Sequence, residues 1–187
     1  MGKKLSEMSL EELWQLFPII LTEHKAYWED WYAEEAERLK HIFPAGQTAR
    51  IHHIGSTAIT GIQAKPIIDI LVEVDRDSDF LSLEKCLTKA GYLCMSKSPD
   101  RLSFNKGYTE YGFAGQVFHL HLRRFGDHDE LYFRDYLNAH PEIARQYENL
   151  KLALWKPYEH DRDGYTEAKT PFVSKYTGIA KALYGKE

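Results

Sequence analysis

The chain has 187 residues, a net charge of −4 and a hydrophobic content of 43%, which suits one domain over residues 1–187 and excludes an intrinsically disordered chain. No apolar run reaches the roughly 18 residues of a membrane span, so we expect no membrane association and a cytoplasmic location. Acidic residues outnumber basic residues by 28 to 24 and no basic stripe is present, which argues against tight binding to duplex nucleic acid.

The N-terminal part of the chain predicts two helices. Ser9 and Glu12 form a capping-box pattern that begins a helix, and Pro18 breaks the helical pattern within residues 9–43. The second helix, near residues 22–42, carries large apolar side chains at helical spacing, which indicates a face directed at the core. This face comprises Trp28, Tyr32, Ala36, Leu39 and Phe43.

The middle of the chain predicts strands, and its end predicts helices. Strands are expected at residues 50–54, 66–74, 92–95, 102–105 and 117–125, and helices at 80–90, 132–140, 141–156 and 166–183. Gly107, Gly112 and Gly115 indicate a hairpin-like connection before the last strand. The pattern predicts an α+β (mixed α/β) fold, with a central mixed sheet flanked by helices and helical extensions at both ends.

Two acidic residues stand on the strand that follows a Gly-Ser turn. One strand ends at Gly55-Ser56, and the next strand carries Asp69 and Glu73. Side chains alternate along a strand, so the two carboxylates share one face. A carboxylate on an apolar strand is costly to bury unless it is paired or bound to a metal. We predict Asp69 and Glu73 as catalytic and metal-binding residues; the alternative is that Asp69 only accepts backbone hydrogen bonds at its strand end.

The strand at residues 117–125 carries a His-x-His pair. His119 and His121 face the same side, an arrangement that can place two imidazoles on one metal or one phosphate. If this strand lies beside the strand of Asp69 and Glu73, the four side chains form one metal site. The alternative is a pair of partly exposed histidines on a sheet face.

Several residues are candidates for binding phosphate. The backbone and hydroxyl groups of Gly55, Ser56 and Thr57 can hold phosphate oxygens, with positive charge from Lys65 and Arg101. A lysine that merely faces solvent is the alternative for Lys65. The expected partner is a small phosphorylated molecule or a nucleotide, and the sequence indicates no oligomeric state.

The same stretch resembles the signature of a known family, GrpB. The resemblance is carried by His53-Ile-Gly-Ser-Thr-Ala, Gly61 and Ala64-Lys-Pro-Ile-Ile-Asp-Ile70, and later by His119-Leu-His-Leu, Phe133-Arg-Asp-Tyr-Leu, His140-Pro, Tyr147, Lys151, Tyr165, Lys169 and Phe172. It runs from about Trp28 to the C-terminal helix and implies a polymerase-beta-like nucleotidyltransferase fold. Some family members resemble the accessory half of bifunctional dephospho-coenzyme A kinases, which points to nucleotide or coenzyme A metabolism without naming a reaction.

The acids depart from the nucleotidyltransferase pattern that this resemblance implies. That superfamily has an acid, a hydrophobic residue and a second acid after Gly-Ser, with a third acid on a later strand. Here Asp69 fills the first place and Leu71 stands at the second, while His119 and His121 stand where the third is expected. Two-metal transfer needs carboxylates around magnesium, and imidazole suits zinc, manganese or other transition ions better. The expected cofactor is a divalent metal: magnesium or manganese, or a transition ion if the histidines ligate it.

Three functions follow from these residues. The first is metal-dependent nucleotidyl or phosphoryl transfer on a small phosphorylated substrate. The second is a catalytically degenerate module that binds a nucleotide or a coenzyme A-like ligand, which the missing second acid favours. The third is a metal-dependent hydrolase that uses His119, His121 and Asp69. The geometric question that separates them is whether Asp69, Glu73 and the two histidines converge beside Gly55-Ser56.

Overall fold

A computed structural model describes residues 3–185, which form five strands and six α-helices. The strands are β1 Ala49–Ile54, β2 Ile68–Val74, β3 Leu93–Lys97, β4 Arg101–Thr109 and β5 Gly112–Arg124. The helices are α1 Leu10–Leu16, α2 Tyr27–Ile42, α3 Phe80–Lys89, α4 Asp129–Ala139, α5 Pro141–Trp155 and α6 Arg162–Tyr184. Within this part of the chain no helix combines the length and apolar character needed to cross a bilayer.

The five strands form one mixed sheet in the order β1-β2-β5-β4-β3. The central pair, β2 and β5, is parallel, whereas β1, β4 and β3 pair with their neighbours in the antiparallel sense. Helices flank this sheet, which confirms the predicted α+β class. Strand β1, the Gly55-Ser56 turn and the acid-bearing strand β2 follow one another along the chain in the predicted order.

One face of the sheet carries the main apolar core. Ile70 and Val72 on β2 and Leu120 on β5 are fully buried there, against Trp28 and Leu39 of α2. The predicted apolar face of α2 therefore does face the core. Helix α3 adds Leu83 and Leu87 to the same cluster. Because side chains alternate, Asp69 of β2 and both histidines of β5 point to the opposite face.

The C-terminal helices pack among themselves around a second apolar cluster. Phe133 and Leu137 of α4, Tyr147 of α5 and Tyr176 of α6 are buried in it. Helices α4, α5 and α6 lie on the side of the sheet that carries the polar residues. The fold thus places a polar sheet face opposite a helical layer, and this arrangement leaves room for a site between them.

The N-terminal region differs from the prediction at the second helix. The capping box is confirmed, since Glu12 accepts from the Ser9 backbone and the Ser9 hydroxyl accepts from the Glu12 N–H. Helix α2, however, begins at Tyr27 rather than near residue 22. The backbone of Ile19 bonds to Glu159, and Thr22 exchanges two hydrogen bonds with Ala64, so this segment is extended.

The predicted hairpin-like connection is present, but its turn is short and lies at Glu110-Tyr111, so the glycines fall in or beside the strands. Strands β4 and β5 continue as a long hairpin, in which Gly107 and Gly112 are strand residues. The register shifts between Lys106 and Tyr108, so Gly107 lies in a bulge, with φ of +91°. A Cβ atom on Gly107 would lie 2.3 Å from the Gln116 carbonyl oxygen, which explains why this position takes glycine.

Candidate functional site

A cleft of about 690 Å³ opens between the polar face of the sheet and helices α4 to α6. The first wall is formed by Gly55 and Ser56 at the end of β1, Asp69 on β2, and His119 and His121 on β5. The strand register explains this grouping, since Asp69 is paired with His119 and Leu71 with His121. Three of the four predicted metal ligands therefore do lie together beside the Gly-Ser turn.

Gly55 allows the turn to approach Asp69 closely. Its backbone has φ of +73° and ψ of −172°, a region that is essentially restricted to glycine. A Cβ atom at this position would lie 2.3 Å from Asp69 Oδ2. Thr57, which was predicted to bind phosphate, is buried and does not line the cleft. Its hydroxyl instead donates to the Ile67 carbonyl and bonds to His53.

Asp69 is held by two imidazoles. His119 Nδ1 lies 3.2 Å from Asp69 Oδ1, and His121 Nε2 lies 3.8 Å from the same oxygen. Burial alone would raise the pKa of Asp69, but the hydrogen bonds from His119 and His121 hold it well below its usual range. Burial lowers the pKa of His119, against the attraction of Asp69. The carboxylate is therefore ionised, and its negative charge is met by imidazole N–H groups.

The ring nitrogens that face Asp69 carry protons. The far nitrogen of His119 bonds to the Tyr108 hydroxyl at 2.8 Å, and the far nitrogen of His121 lies 3.5 Å from Arg123 Nη2. Arginine can only donate, so His121 accepts from it and directs its own N–H at Asp69. An ionised carboxylate can only accept, so His119 likewise donates to Asp69.

This donor set does not fit the metal that the fold family implies. A histidine binds a metal through a nitrogen lone pair, whereas the nitrogens nearest Asp69 are used as N–H donors. A magnesium pair would need further carboxylates beside Asp69. Across residues 3–185, no three or more His, Cys, Asp or Glu side chains are arranged to hold a metal ion.

Glu73 lies outside the cleft, which corrects its predicted place in a cluster with Asp69. Its carboxylate is buried and bonds to the Gly126 N–H at 2.9 Å and to His128 Nδ1 at 2.7 Å. His52 lies 3.2 Å from its other oxygen. Asp69 and Glu73 share a face, but four residues of strand separate them by about 13 Å. Glu73 thus anchors the loop before α4 and takes no part in the cleft.

Arg101 also lies outside the cleft, contrary to its predicted phosphate-binding position. It begins β4 opposite Arg123, at the same distant end of the sheet as Glu73. Its guanidinium donates two hydrogen bonds of 2.7 Å to the Asp127 carboxylate. An arginine in such a bidentate pair is already neutralised by a carboxylate.

Cations from three elements form the second wall of the cleft. They are Lys65 before β2, Lys151 on α5, and Arg162 and Lys169 on α6. The side chain of Lys151 is buried, with 2% exposure, and donates to the Gln63 carbonyl. Lys65 Nζ lies 5.6 Å from the centre of the Tyr165 ring and Lys169 Nζ lies 4.3 Å from it. Two ammonium groups therefore approach one aromatic ring.

The cleft lysines are poorly compensated. Burial lowers the pKa of Lys65 to about 7, and repulsion from Lys169 and Arg162 adds to this effect. Burial also lowers the pKa of Lys151 to about 7 and that of Lys169 to about 8. Among the described residues, no carboxylate forms an ion pair with any of the four cations. The cleft therefore presents positive charge that the protein itself does not neutralise.

The helical cations of this wall are site residues that sequence reasoning did not assign. A signal was present, because Tyr147 and Lys151 on α5 repeat the spacing of Tyr165 and Lys169 on α6. Residues four apart share one helix face, so each lysine lies beside a buried tyrosine. A lysine on the apolar face of a helix is unusual unless a ligand or a partner meets it.

The comparisons with known proteins agree with this architecture. The family model described as GrpB protein matches residues 18–178. The chain belongs to the GrpB family. The glutamate-rich protein GrpB of Alkalihalophilus pseudofirmus is 36% identical over 163 residues, which cover 84% of this chain and 92% of that protein. A crystal structure of the conserved protein GrpB from Enterococcus faecalis matches with a TM-score of 0.77 and 30% identity, over 89% of this chain and all of that one.

Another relative is longer than this chain. The UPF0157 protein PA4798 of Pseudomonas aeruginosa is 37% identical over 158 residues, which cover 83% of this chain and 64% of that protein. The chain thus spans somewhat less than two thirds of that GrpB-family relative. None of these three names states a reaction or a ligand.

Proposed function

We propose that this GrpB-family protein binds a small phosphorylated ligand of nucleotide size in the cleft beside Gly55-Ser56. The observation that carries the proposal is a group of four cations opposite the Gly-Ser turn, Lys65, Lys151, Arg162 and Lys169, which form no ion pair with a carboxylate within residues 3–185. Lys151 is buried and the other three are half-buried, and cations withdrawn from water are costly unless an anion meets them. Phosphate supplies that anion, and several oxygens of one ligand can accept from lysines on different elements.

The size and lining of the cleft support a ligand larger than inorganic phosphate. Its volume of about 690 Å³ falls within the usual range for pockets that hold nucleotide-sized molecules. Beyond the lysines, the lining includes Phe133 on α4 and Val173 on α6, which offer apolar contacts. A base, or the organic part of a coenzyme A-like molecule, would lie against these side chains while its phosphates meet the lysines.

Ligand binding is tested by comparing two lysines of the same helix. Lys169→Ala removes a cleft cation, whereas Lys175→Ala removes an exposed lysine outside the cleft. We expect ATP or coenzyme A to raise the melting temperature of the wild type and of Lys175→Ala by several degrees, since a ligand at 100 times its Kd adds about 2.7 kcal/mol. Lys169→Ala should lose most of this shift. Equal shifts in the two variants, or no shift in the wild type across nucleotides and coenzyme A, would refute the proposal.

Binding should weaken as the pH rises. Lys65 and Lys151 have pKa values lowered to about 7 and Lys169 to about 8, and a bound anion raises them again. Affinity is therefore greatest where the free lysines are protonated and falls as the pH passes through this range. Titration calorimetry with ATP at constant ionic strength should give at least a tenfold weaker Kd at pH 9.5 than at pH 7, with a smaller change in Lys169→Ala. A flat profile would contradict this.

The geometry favours binding over the two metal-dependent reactions that the sequence also suggested. Both transfer and hydrolysis would use Asp69 as a metal ligand, and Asp69 here accepts a hydrogen bond from His119 and lies 3.8 Å from His121 instead. The variant Asp69→Asn separates the cases. A metal-dependent enzyme would lose nucleotide turnover, whereas the binding function predicts that ATP affinity is kept or increased, because a negative charge leaves the cleft.

A further inference from the structure

We infer that the cleft takes a ligand with two or more linked phosphates in its metal-free form, with lysines supplying the positive charge that magnesium would otherwise provide. This inference rests on the proposed function and names the class of ligand. Its basis is the number and origin of the cleft cations, together with the donor set around Asp69.

The cleft cations come from separate elements of the fold and lie beside two different aromatic rings. Lys65 lies before β2, Lys151 on α5 and Lys169 on α6, so the three ammonium groups approach the cleft from three elements. Lys65 and Lys169 share the Tyr165 ring, whereas Lys151 lies over the ring of Tyr147 at 4.9 Å. Two aromatic platforms thus support two cationic positions, and a chain of linked phosphates can contact both at once.

The charge balance points the same way. Three carboxylates line the cleft: Asp69 lies beside two histidines, and Asp129 and Glu130 lie within ion-pair distance of Lys181 and Arg123. The second wall offers Lys65, Lys151, Arg162 and Lys169, none of which forms an ion pair with a carboxylate of residues 3–185. A ligand with one phosphate brings at most about two negative charges, whereas a triphosphate brings about four. The larger anion therefore matches the cations of the cleft.

The same arrangement disfavours a magnesium-bound ligand. Magnesium binds through carboxylates and phosphate oxygens together. Here Asp69 is engaged with the His119 N–H, and the other carboxylates of the cleft, Asp129 and Glu130, lie within ion-pair distance of Lys181 and Arg123. The surrounding lysines also repel a further cation. Magnesium would also mask the phosphate oxygens that the lysines bind. The lowered pKa values of Lys65, Lys151 and Lys169 agree with anion binding by these lysines, because a bound anion stabilises the protonated form of each one.

Calorimetric titration of the full chain tests this inference. At pH 7 with a metal chelator, the probes are ATP, ADP, AMP and tripolyphosphate, and ATP is then repeated with excess magnesium chloride. We expect Kd to rise at least tenfold from ATP to AMP, tripolyphosphate to bind within tenfold of ATP, and magnesium to weaken ATP binding at least tenfold. Lys65→Ala should reduce the preference for ATP over AMP, whereas Lys175→Ala should leave it unchanged.

The outcomes distinguish failure of this inference from failure of the proposed function. If AMP binds as tightly as ATP, or if ATP binds only with magnesium, the inference is wrong and the proposed function stands. If neither AMP, ATP nor tripolyphosphate binds, the proposed function itself is refuted. If ATP binds and tripolyphosphate does not, recognition depends on the base and not on contacts between the lysines and the phosphate chain. The wild-type titrations decide these points even if a lysine variant fails to fold.

Discussion

The variant Gly55→Ala should destabilise the protein by about 3 kcal/mol or more. Two effects contribute, because the backbone at φ of +73° and ψ of −172° is strained for any residue with a Cβ atom. The new methyl group would also lie 2.3 Å from Asp69 Oδ2 and 2.9 Å from Asp69 Cβ. Asp69 would have to move, which would lengthen or break its hydrogen bond with His119 and shift it relative to His121.

Gly61→Ala is the matched control for this prediction. Gly61 has φ of +77°, but no atom lies within 4 Å of the position that its Cβ would take. It therefore shows the backbone strain without the collision, and we expect a loss of about 1–2 kcal/mol. Urea unfolding, followed by tryptophan fluorescence, measures both variants. An equal loss of stability in the two variants would mean that Asp69 is not packed against Gly55.

The two faces of the sheet could be predicted from the sequence because strand alternation is a local property. Side-chain alternation along β2 predicts Asp69 and Glu73 on one face, and alternation along β5 predicts His119 and His121 on one face. The structure has both pairs arranged in this way. Alternation does not say how far along a strand a cleft extends. The helices cover the polar face so that the cleft includes Asp69, while Glu73 is bound by the Gly126 N–H. That boundary depends on tertiary packing.

The helical wall was harder to predict for the same reason. Lys151 and Lys169 follow tyrosines at a four-residue spacing, which indicates a shared helix face and nothing about what the face meets. Their approach to Lys65 requires α5, α6 and the segment before β2 to come together over long sequence separations. The prediction for Arg101 was wrong because its guanidinium is paired with the Asp127 carboxylate. Asp127 lies on a loop that no local sequence pattern connects to β4.

A site that binds an anion through buried lysines should weaken the fold that carries it. Lys151 is 2% exposed, and burial, together with repulsion from Lys169 and Lys65, lowers its pKa to about 7. Its folded pKa lies below the ordinary value of 10.5, so the unfolded chain binds a proton more readily at neutral pH. The buried charge lowers the free energy of unfolding by its full amount below about pH 7, and this destabilising effect vanishes above about pH 10.5.

Lys151→Met should therefore stabilise the protein while it abolishes binding. Methionine keeps most of the side-chain volume and removes the buried charge, and it gives up one hydrogen bond to the Gln63 carbonyl. We expect a net gain of about 1–3 kcal/mol at pH 7, smaller than the full cost of the charge because that hydrogen bond is lost. The gain should disappear near pH 10.5, and ATP affinity should fall at least tenfold.

Urea unfolding at pH 7 and pH 10.5 measures the stability change, and calorimetry with ATP measures the affinity. Lys175→Met, at an exposed position of α6, should change stability by less than about 0.5 kcal/mol at either pH. A loss of stability in Lys151→Met at pH 7 would show that the charge is already compensated in the free protein. A cleft that is shaped to bind an anion requires the opposite result, a more stable protein that no longer binds ATP. In that case Lys151 serves ligand binding and does not stabilise the fold.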